Sequence, residues 1–563
     1  MTMIRVNMGS GGVTVFPLPE VYRELAGRGL TSSLLADEVP SHCFPLGKDN
    51  RLVIAPGLLT GTVAPCSGRT SIGAKSPLTG TIKESNVGGI AGQYLAGHGI
   101  RAIVVEGKPV EEGWWLLVIA ADGVRLEPRR DLAGLGNYDT VTLLKGEYGK
   151  ESAVISVGPA GERGAALATV AVCDTEGRPT RHAGRGGMGA VMASKGVKAI
   201  VVTKPSISRI QPEHGELFRE RVREFSKVLV NGKKALTTYG TAVLVNVVNE
   251  VGGLPTRNFS TGRNEEAGSF DGERLRQLCE ERGGATGHPC HRGCVIRCSN
   301  IFHDEAGNYV TAGLEYETIA LLGSNCGVHD LDRIARFDRL CDDLGIDTME
   351  MGVTLGVAME GRLLPFGDAD AMEQAIKDVA SGTPTGRILG QGATITGRIL
   401  GVERVPAVKG QSMSGYDPRA LKGTGVTYAT STMGADHTTG NCLPGRGGVD
   451  CHGVDGQVRL SRDTQVMSMV CDMVGVCVFV GPVVETMPFL AGLTSAFLGR
   501  DIPVEELLRQ AREILLVEAD FNRRAGFSPS QNDLPPFFRS EPLPNNGLVF
   551  DVPAREMMEL DYA

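Results

Sequence analysis

Apolar residues follow two rhythms along this chain. Up to about residue 206 they form short runs bounded by turn residues: Leu52–Ala55, Ala102–Val105, Trp115–Ala120, Ala153–Val157 and Ala199–Val202. Such runs predict strands. After Lys204 and Pro205 the apolar spacing changes to three and four, which predicts helices over Glu216–Leu229 and Arg274–Arg282. A third helix is expected over Leu331–Leu344, with Ile334, Phe337, Cys341 and Leu344 on one face. Asp347 reads as the cap of the next, with Glu350 three residues on. Met372–Val379 and Val504–Arg523 are helical in pattern. Gly401–Gly456 reads as a glycine-rich loop region, and the Pro- and Asn-rich tail from Ser528 as extended or irregular. No repeat of 20–50 residues is visible.

At 563 residues the chain exceeds one ordinary domain. The change of rhythm predicts an α+β fold: a β-rich domain over 1–206, then two mainly helical domains over 207–406 and 407–563. Composition is that of a globular protein, with 42% hydrophobic and 22% charged residues. Glycine departs from the norm, at 76 residues, crowded into 57–107, 158–196 and 401–456. Without a Gly-X-Y period or Ser/Gln-rich tracts this is neither collagen nor linker, so the fold needs close backbone approaches or left-handed turns. The net charge of −8, with no basic run, argues against nucleic-acid binding. No secretory leader and no stretch of about 20 apolar residues is present, so a cytoplasmic protein without a membrane span is expected.

The 13 cysteines are an odd number, and a disulfide framework is not expected. Most, including Cys66, read as small buried hydrophobes. Cys290, Cys294 and Cys298 in GHPCHRGCVIRCSN differ: in a helix, four-residue spacing would bring all three near one face. Thiolates this close need a metal to neutralise them. A triplet suits three corners of a [4Fe–4S] cluster with a distant fourth cysteine. Zinc held by three cysteines and either His288 or His291 is the second reading. One short echo also appears. Asp342–Asp347 reads DDLGID and Asp472–Cys477 reads DMVGVC. Each places an acid, a helix-ending glycine and a ligand-type residue in order, which suggests a partner with two similar halves.

Five blocks, in order, resemble the aldehyde:ferredoxin oxidoreductase family of tungsten enzymes. They are APGLLTGTVAPCSGR…ESNVGGIAG (Ala55–Gly92), GPAGERGAALATVAVCDTEGRPTRHAGRGGMGAVMASK (Gly158–Lys195), the cysteine triplet with GLEYETIALLGSNCG (Gly313–Gly327), DDLGID with SGYDPRALKGTGVTYATSTMGADH (Ser414–His437), and DMVGVC. The resemblance implies a β-rich base domain carrying tungsten between two molybdopterins, with molybdenum as the alternative metal, a bridging Mg2+ and a [4Fe–4S] cluster. It implies cluster ligands Cys290, Cys294, Cys298 and Cys477. Arg69 would lie between cluster and pterin, and Asn86, Val87 and Gly88 at the phosphates and magnesium. Arg181 and Arg185 would contact pterin, as would Asp342, Asp347 and Asp472 of the echo. The spacing C-x3-C-x3-C departs from the commoner C-x2-C-x3-C, which puts His291 in the strict first position.

The same resemblance implies oxidation of an aldehyde to an acid, with electrons passed through the cluster to ferredoxin. Glu317 would be the general base, with Glu315 its rival, and His437 would donate to the carbonyl oxygen; Tyr428 and Asp436 would orient it. A homodimer is compatible, although the E-x-x-H pattern of iron-bridged dimers is not evident. Two other readings stand beside this one: the same cofactor acting on 2-hydroxy or 2-oxo carboxylates or another reductive substrate, and a zinc-stapled protein without turnover.

Overall fold

The computed structural model describes every residue except Ser208, Asp561 and Ala563. The N-terminal part is built from twelve strands. These are β1 (Thr2–Asn7), β2 (Gly12–Pro17), β3 (Leu52–Pro56), β4 (Thr70–Lys75), β5 (Ile82–Val87) and β6 (Ile100–Glu106), followed by β7 (Trp115–Ala120), β8 (Gly123–Pro128), β9 (Ala153–Ser156), β10 (Val170–Val172), β11 (Arg181–Ala183) and β12 (Val197–Val202). They form two six-stranded sheets, ordered β2-β1-β6-β3-β4-β5 and β11-β10-β9-β12-β7-β8. Adding six to each strand of the first sheet gives the second. β1–β6 and β7–β12 are the parallel pairs, and the others are antiparallel. The β-rich unit therefore occurs twice, on a period too long for a search at 20–50 residues.

All five apolar runs are strands of these sheets. The other seven were hidden from an apolar-run reading. β4 (TSIGAK) and β5 (IKESNV) are almost wholly buried yet strongly polar. Tertiary partners satisfy their charges: Lys75 Nζ donates to Cys43 O at 3.0 Å, and Lys83 pairs with Asp436.

Helices dominate from residue 215 onward. Gly215–Gly232, Gly272–Glu281, Leu331–Leu344, Ala369–Ser381 and Val504–Arg524 carry the expected patterns. Asp347 does cap the helix Thr348–Glu360, accepting from Met349 N at 2.9 Å. Three local expectations are corrected. The 401–456 region contains a fully buried helix, Lys422–Thr430, where Gly423 and Gly425 let Cys442 and Phe550 pack against the backbone. The C-terminal tail forms short helices at Phe537–Ser540 and Ala554–Met558, anchored by buried Phe538, Phe550 and Val552. The triplet segment is not helical; it is a loop between strands Ala285–His288 and Ser299–His303, with Gly293 and Arg297 at positive φ.

Candidate active site

The two halves of the echo meet the two β-rich units in the same way. After Leu331–Leu344, Gly345 turns at φ 74°; after Gln457–Val474, Gly475 turns at φ 78°. Gly345 O accepts from Thr169 N at 2.9 Å, and Gly475 O from Arg69 N at 3.2 Å. Asp347 N donates to Leu167 O, and Cys477 N to Cys66 O, both at 3.0 Å. An added Cβ on Gly57 would lie 2.1 Å from Gly475 Cα, and one on Gly158 would lie 2.3 Å from Leu344 C. Backbone packs on backbone at both places, which only glycine allows.

Between these contacts lies a cavity of about 350 Å³. Cys290, Cys294, Cys298 and Cys477 all line it. Burial and crowding raise the pKa of all four thiols. The Cys294 thiol, then burial, pushes Cys290 well up; burial, then Glu315, does so for Cys298. Burial raises Cys477 against the pull of Arg69. Four crowded thiols that resist ionisation in isolation are a donor set suited to a cationic metal centre. Cys290 faces the cavity, while the His291 ring is buried against Gly68, whose added Cβ would lie 2.3 Å from Nδ1. Burial lowers the His291 pKa to about 4, so the ring is neutral. Ligand atoms of Cys290, His291 and Cys294 lie within 4.8 Å of one another, the arrangement a zinc reading requires.

Arg69 and the segment Asn86–Gly88 border the thiols. Arg69 Nε donates to Asn86 Oδ1 at 2.5 Å and Nη2 to Asn86 O at 3.3 Å. An added Cβ on Gly88 would sit 3.2 Å from Arg69 Nη1 and 3.4 Å from Cys290 Sγ. Arg181 donates to Ala312 O at 2.6 Å and lies 3.7 Å from Glu315. Asp342 Oδ1 meets His182 Nε2 at 3.0 Å, while its buried Oδ2 has no partner. Burial raises Asp347 to about 6 although Arg185 is 3.5 Å away.

Glu315 and Glu317 both line the cavity but serve different neighbours. Glu315 accepts from Thr241 Oγ1 at 2.6 Å. Glu317 Oε2 accepts from Gly415 N at 2.7 Å, and its Oε1 lies 3.2 Å from His437 Nε2. The other His437 nitrogen is 2.8 Å from Ser414 Oγ. Asp436 caps the turn His437–Thr439 by accepting from Thr438 N at 3.0 Å. Burial would raise Asp436, but Lys83, Arg185 and His437 hold it well below the usual carboxylate range.

Asp436 and three other expected residues lie off the cavity wall. Arg185 donates to Ser412 O at 2.7 Å and Ala435 O at 2.8 Å, bracing the loop before His437. Asp472 pairs with Arg28 at 3.3 Å, and burial beside Glu84 raises it to about 8. Tyr428 is buried, its hydroxyl 3.4 Å from Tyr416 O. Residue reading missed three groups. Cys66 lines the cavity next to Cys294; its position inside the Ala55–Gly92 block was the available signal. Lys83, in a polar strand, lies in the same block and offered the same signal, whereas Arg446, on a loop without a motif, offered none.

Two sheets of repeated topology, a helical remainder, and one buried cavity uniting four thiols with a Glu–His pair define a redox-enzyme architecture. Residues 3–204 match the family model described as aldehyde ferredoxin oxidoreductase, N-terminal domain, and residues 219–563 match that of domains 2 and 3. The tungsten-containing aldehyde ferredoxin oxidoreductase of Thermococcus kodakarensis is 35% identical, the alignment covering 99% of this chain and 94% of that one. The enzyme of the same name from Pyrococcus furiosus is 34% identical over 96% and 91%. The chain belongs to the aldehyde ferredoxin oxidoreductase family, and it is an oxidoreductase. In fold it is also similar to the active-site complex BamBC of benzoyl coenzyme A reductase, with TM-score 0.78, 18% identity, and coverage of 95% and 90%. Among the described residues no helix is long and apolar enough to cross a membrane.

Proposed function

We propose that this protein oxidises an aldehyde to a carboxylic acid and passes the electrons to ferredoxin, working in the cytoplasm. The observation that carries the reading is the Glu317–His437 pair opening onto the same cavity as four thiols. Cys290, Cys294, Cys298 and Cys477 would hold a [4Fe–4S] cluster, with Cys290 rather than His291 in the first position. Arg69, Asn86–Gly88, Arg181, Asp342 and Asp347 would hold a tungsten–bis(molybdopterin) and its Mg2+. Arg185 and Asp472 would act from behind as braces. When bound, the tungsten centre supplies a two-electron acceptor and the cluster a one-electron path outward.

The chain's own groups then have defined tasks. Glu317 takes a proton from water as its oxygen bonds to the carbonyl carbon. His437 donates a hydrogen bond from Nε2 to the carbonyl oxygen, and Ser414 and Asp436 keep the ring in place. The overall change balances as aldehyde, water and two oxidised ferredoxins giving carboxylate, three protons and two reduced ferredoxins. The test is metal analysis of the purified protein together with a dye-linked aldehyde assay. Tungsten at about one per chain with turnover supports the reading; zinc with neither tungsten nor molybdenum would sink it.

A further inference from the structure

Arg446 lines the same cavity as Glu317 and His437. It is half-buried, and its Nη1 donates to Pro482 O at 3.0 Å. Among the described residues it forms no ion pair, and burial lowers its pKa with no carboxylate opposing. Each carboxylate on the cavity wall has a polar neighbour other than Arg446, although Asp342 Oδ2 has none of its own. Glu317 serves Gly415 N and His437, Glu315 serves Thr241 and Arg181, and Asp338 accepts from Thr311 at 2.7 Å. Asp342 serves His182, and Asp347 serves Arg185 and Met349 N.

A second cation packs on the same turn. An added Cβ on Gly481, next to Pro482, would lie 3.3 Å from Lys233 Nζ. Burial, then Arg446, lowers the Lys233 pKa. Two cations thus share the 478–482 turn, and among the described residues neither forms an ion pair; the groups that oppose the lowering of Lys233 are the Cys477 and Cys66 thiols. The cavity wall also includes apolar Leu443, Val478 and Phe479. A guanidinium withdrawn from water without a counter-charge is unfavourable. Its planar fork matches a carboxylate, and apolar walls with one fixed polar group are how small-molecule sites orient a ligand.

We propose that Arg446 binds a carboxylate carried by the substrate, so that the preferred substrates are small aldehydes or oxo compounds bearing an acid group. This rests on the aldehyde-oxidising reading above.

The experiment compares succinic semialdehyde with pentanal in the tungsten-loaded protein. Wild type is expected to favour the acid-bearing aldehyde by about tenfold or more in kcat/KM, as a charge-assisted contact provides. Arg446→Gln is expected to abolish that ratio, mainly through KM, and Arg446→Lys to retain an intermediate one. Calorimetric titration with succinate reads the same contact without turnover: wild type binds and Arg446→Gln does not. Equal kinetics for both aldehydes in wild type, a ratio that survives in Arg446→Gln, or succinate binding that survives there would each overturn the proposal. So would loss of pterin and tungsten from Arg446→Gln, which would assign the guanidinium to the cofactor. Failure of wild type to oxidise either aldehyde would instead defeat the parent reading, and the succinate titration would still decide the role of Arg446.

Discussion

His437 Nε2 lies 3.2 Å from Glu317 Oε1, joining the loop after Lys422–Thr430 to the irregular helix that begins at Tyr316. If this pair handles the protons of the reaction, Glu317→Gln and His437→Asn should each lower kcat by about 10²–10⁴-fold. Metal and pterin content should match wild type. Steady-state kinetics with parallel metal analysis checks this; a fall in metal content in step with activity would make the pair structural.

The loop bearing His437 is tied to the first β-rich unit by the buried Lys83–Asp436 ion pair. Lys83→Met removes the ion-pair partner of a buried carboxylate, leaving only the weaker pull of Arg185 and His437, and should cost about 3 kcal/mol. Asp436 is held below its ordinary pKa, so the native state binds fewer protons than the unfolded chain in acid. The stabilisation is therefore complete above about pH 4 and disappears as pH falls through the depressed native value. Thermal unfolding of both proteins should show a constant gap from pH 5 to 8 that closes only in acid.

Glycines at close approaches should be irreplaceable, and those in open helices should not. Gly57→Ala would drive a methyl to 2.1 Å from Gly475 Cα and should lower both stability and cofactor retention. Gly146, inside the helix Asn137–Tyr148, has no atom within 4 Å of an added Cβ. Gly146→Ala should raise stability by about 0.5–1 kcal/mol. Paired melting curves and pterin quantification distinguish the two.

Cys477 and Cys66 both line the cavity, but only Cys477 is assigned as a cluster ligand. Cys477→Ala should remove the reduced-cluster EPR signal, whereas Cys66→Ala should keep it with a shifted g-tensor or potential. A signal that survives in Cys477→Ala would place the fourth ligand elsewhere.

Much of the fold was legible because its cues are local. Leu331–Leu344 follows from a 3.6-residue apolar period and ends at Gly345; Asp347 caps the next helix through its own side chain. The apolar strands β3, β6, β7, β9 and β12 were equally plain. β4 and β5 were not, because Lys75, Lys83 and Glu84 forbid burial until distant partners are in place.

For the site, sequence alone determined the inventory: the cysteine triplet, the paired D-x-x-G turns, Glu317, His437 and the crowded glycines. Tertiary structure alone decided how that inventory is divided. It set Cys290 on the cavity wall and His291 behind it against Gly68, with their ligand atoms still within 4.8 Å of each other. It gave Glu315 to Thr241 and Glu317 to His437, and left Arg446 without an ion pair among the described residues. The reason is physical. A residue's type and spacing fix its local geometry, whereas its charge partners and its access to a cavity depend on backbone segments hundreds of residues away. Those segments meet where Gly57 touches Gly475 and Gly158 touches Gly345.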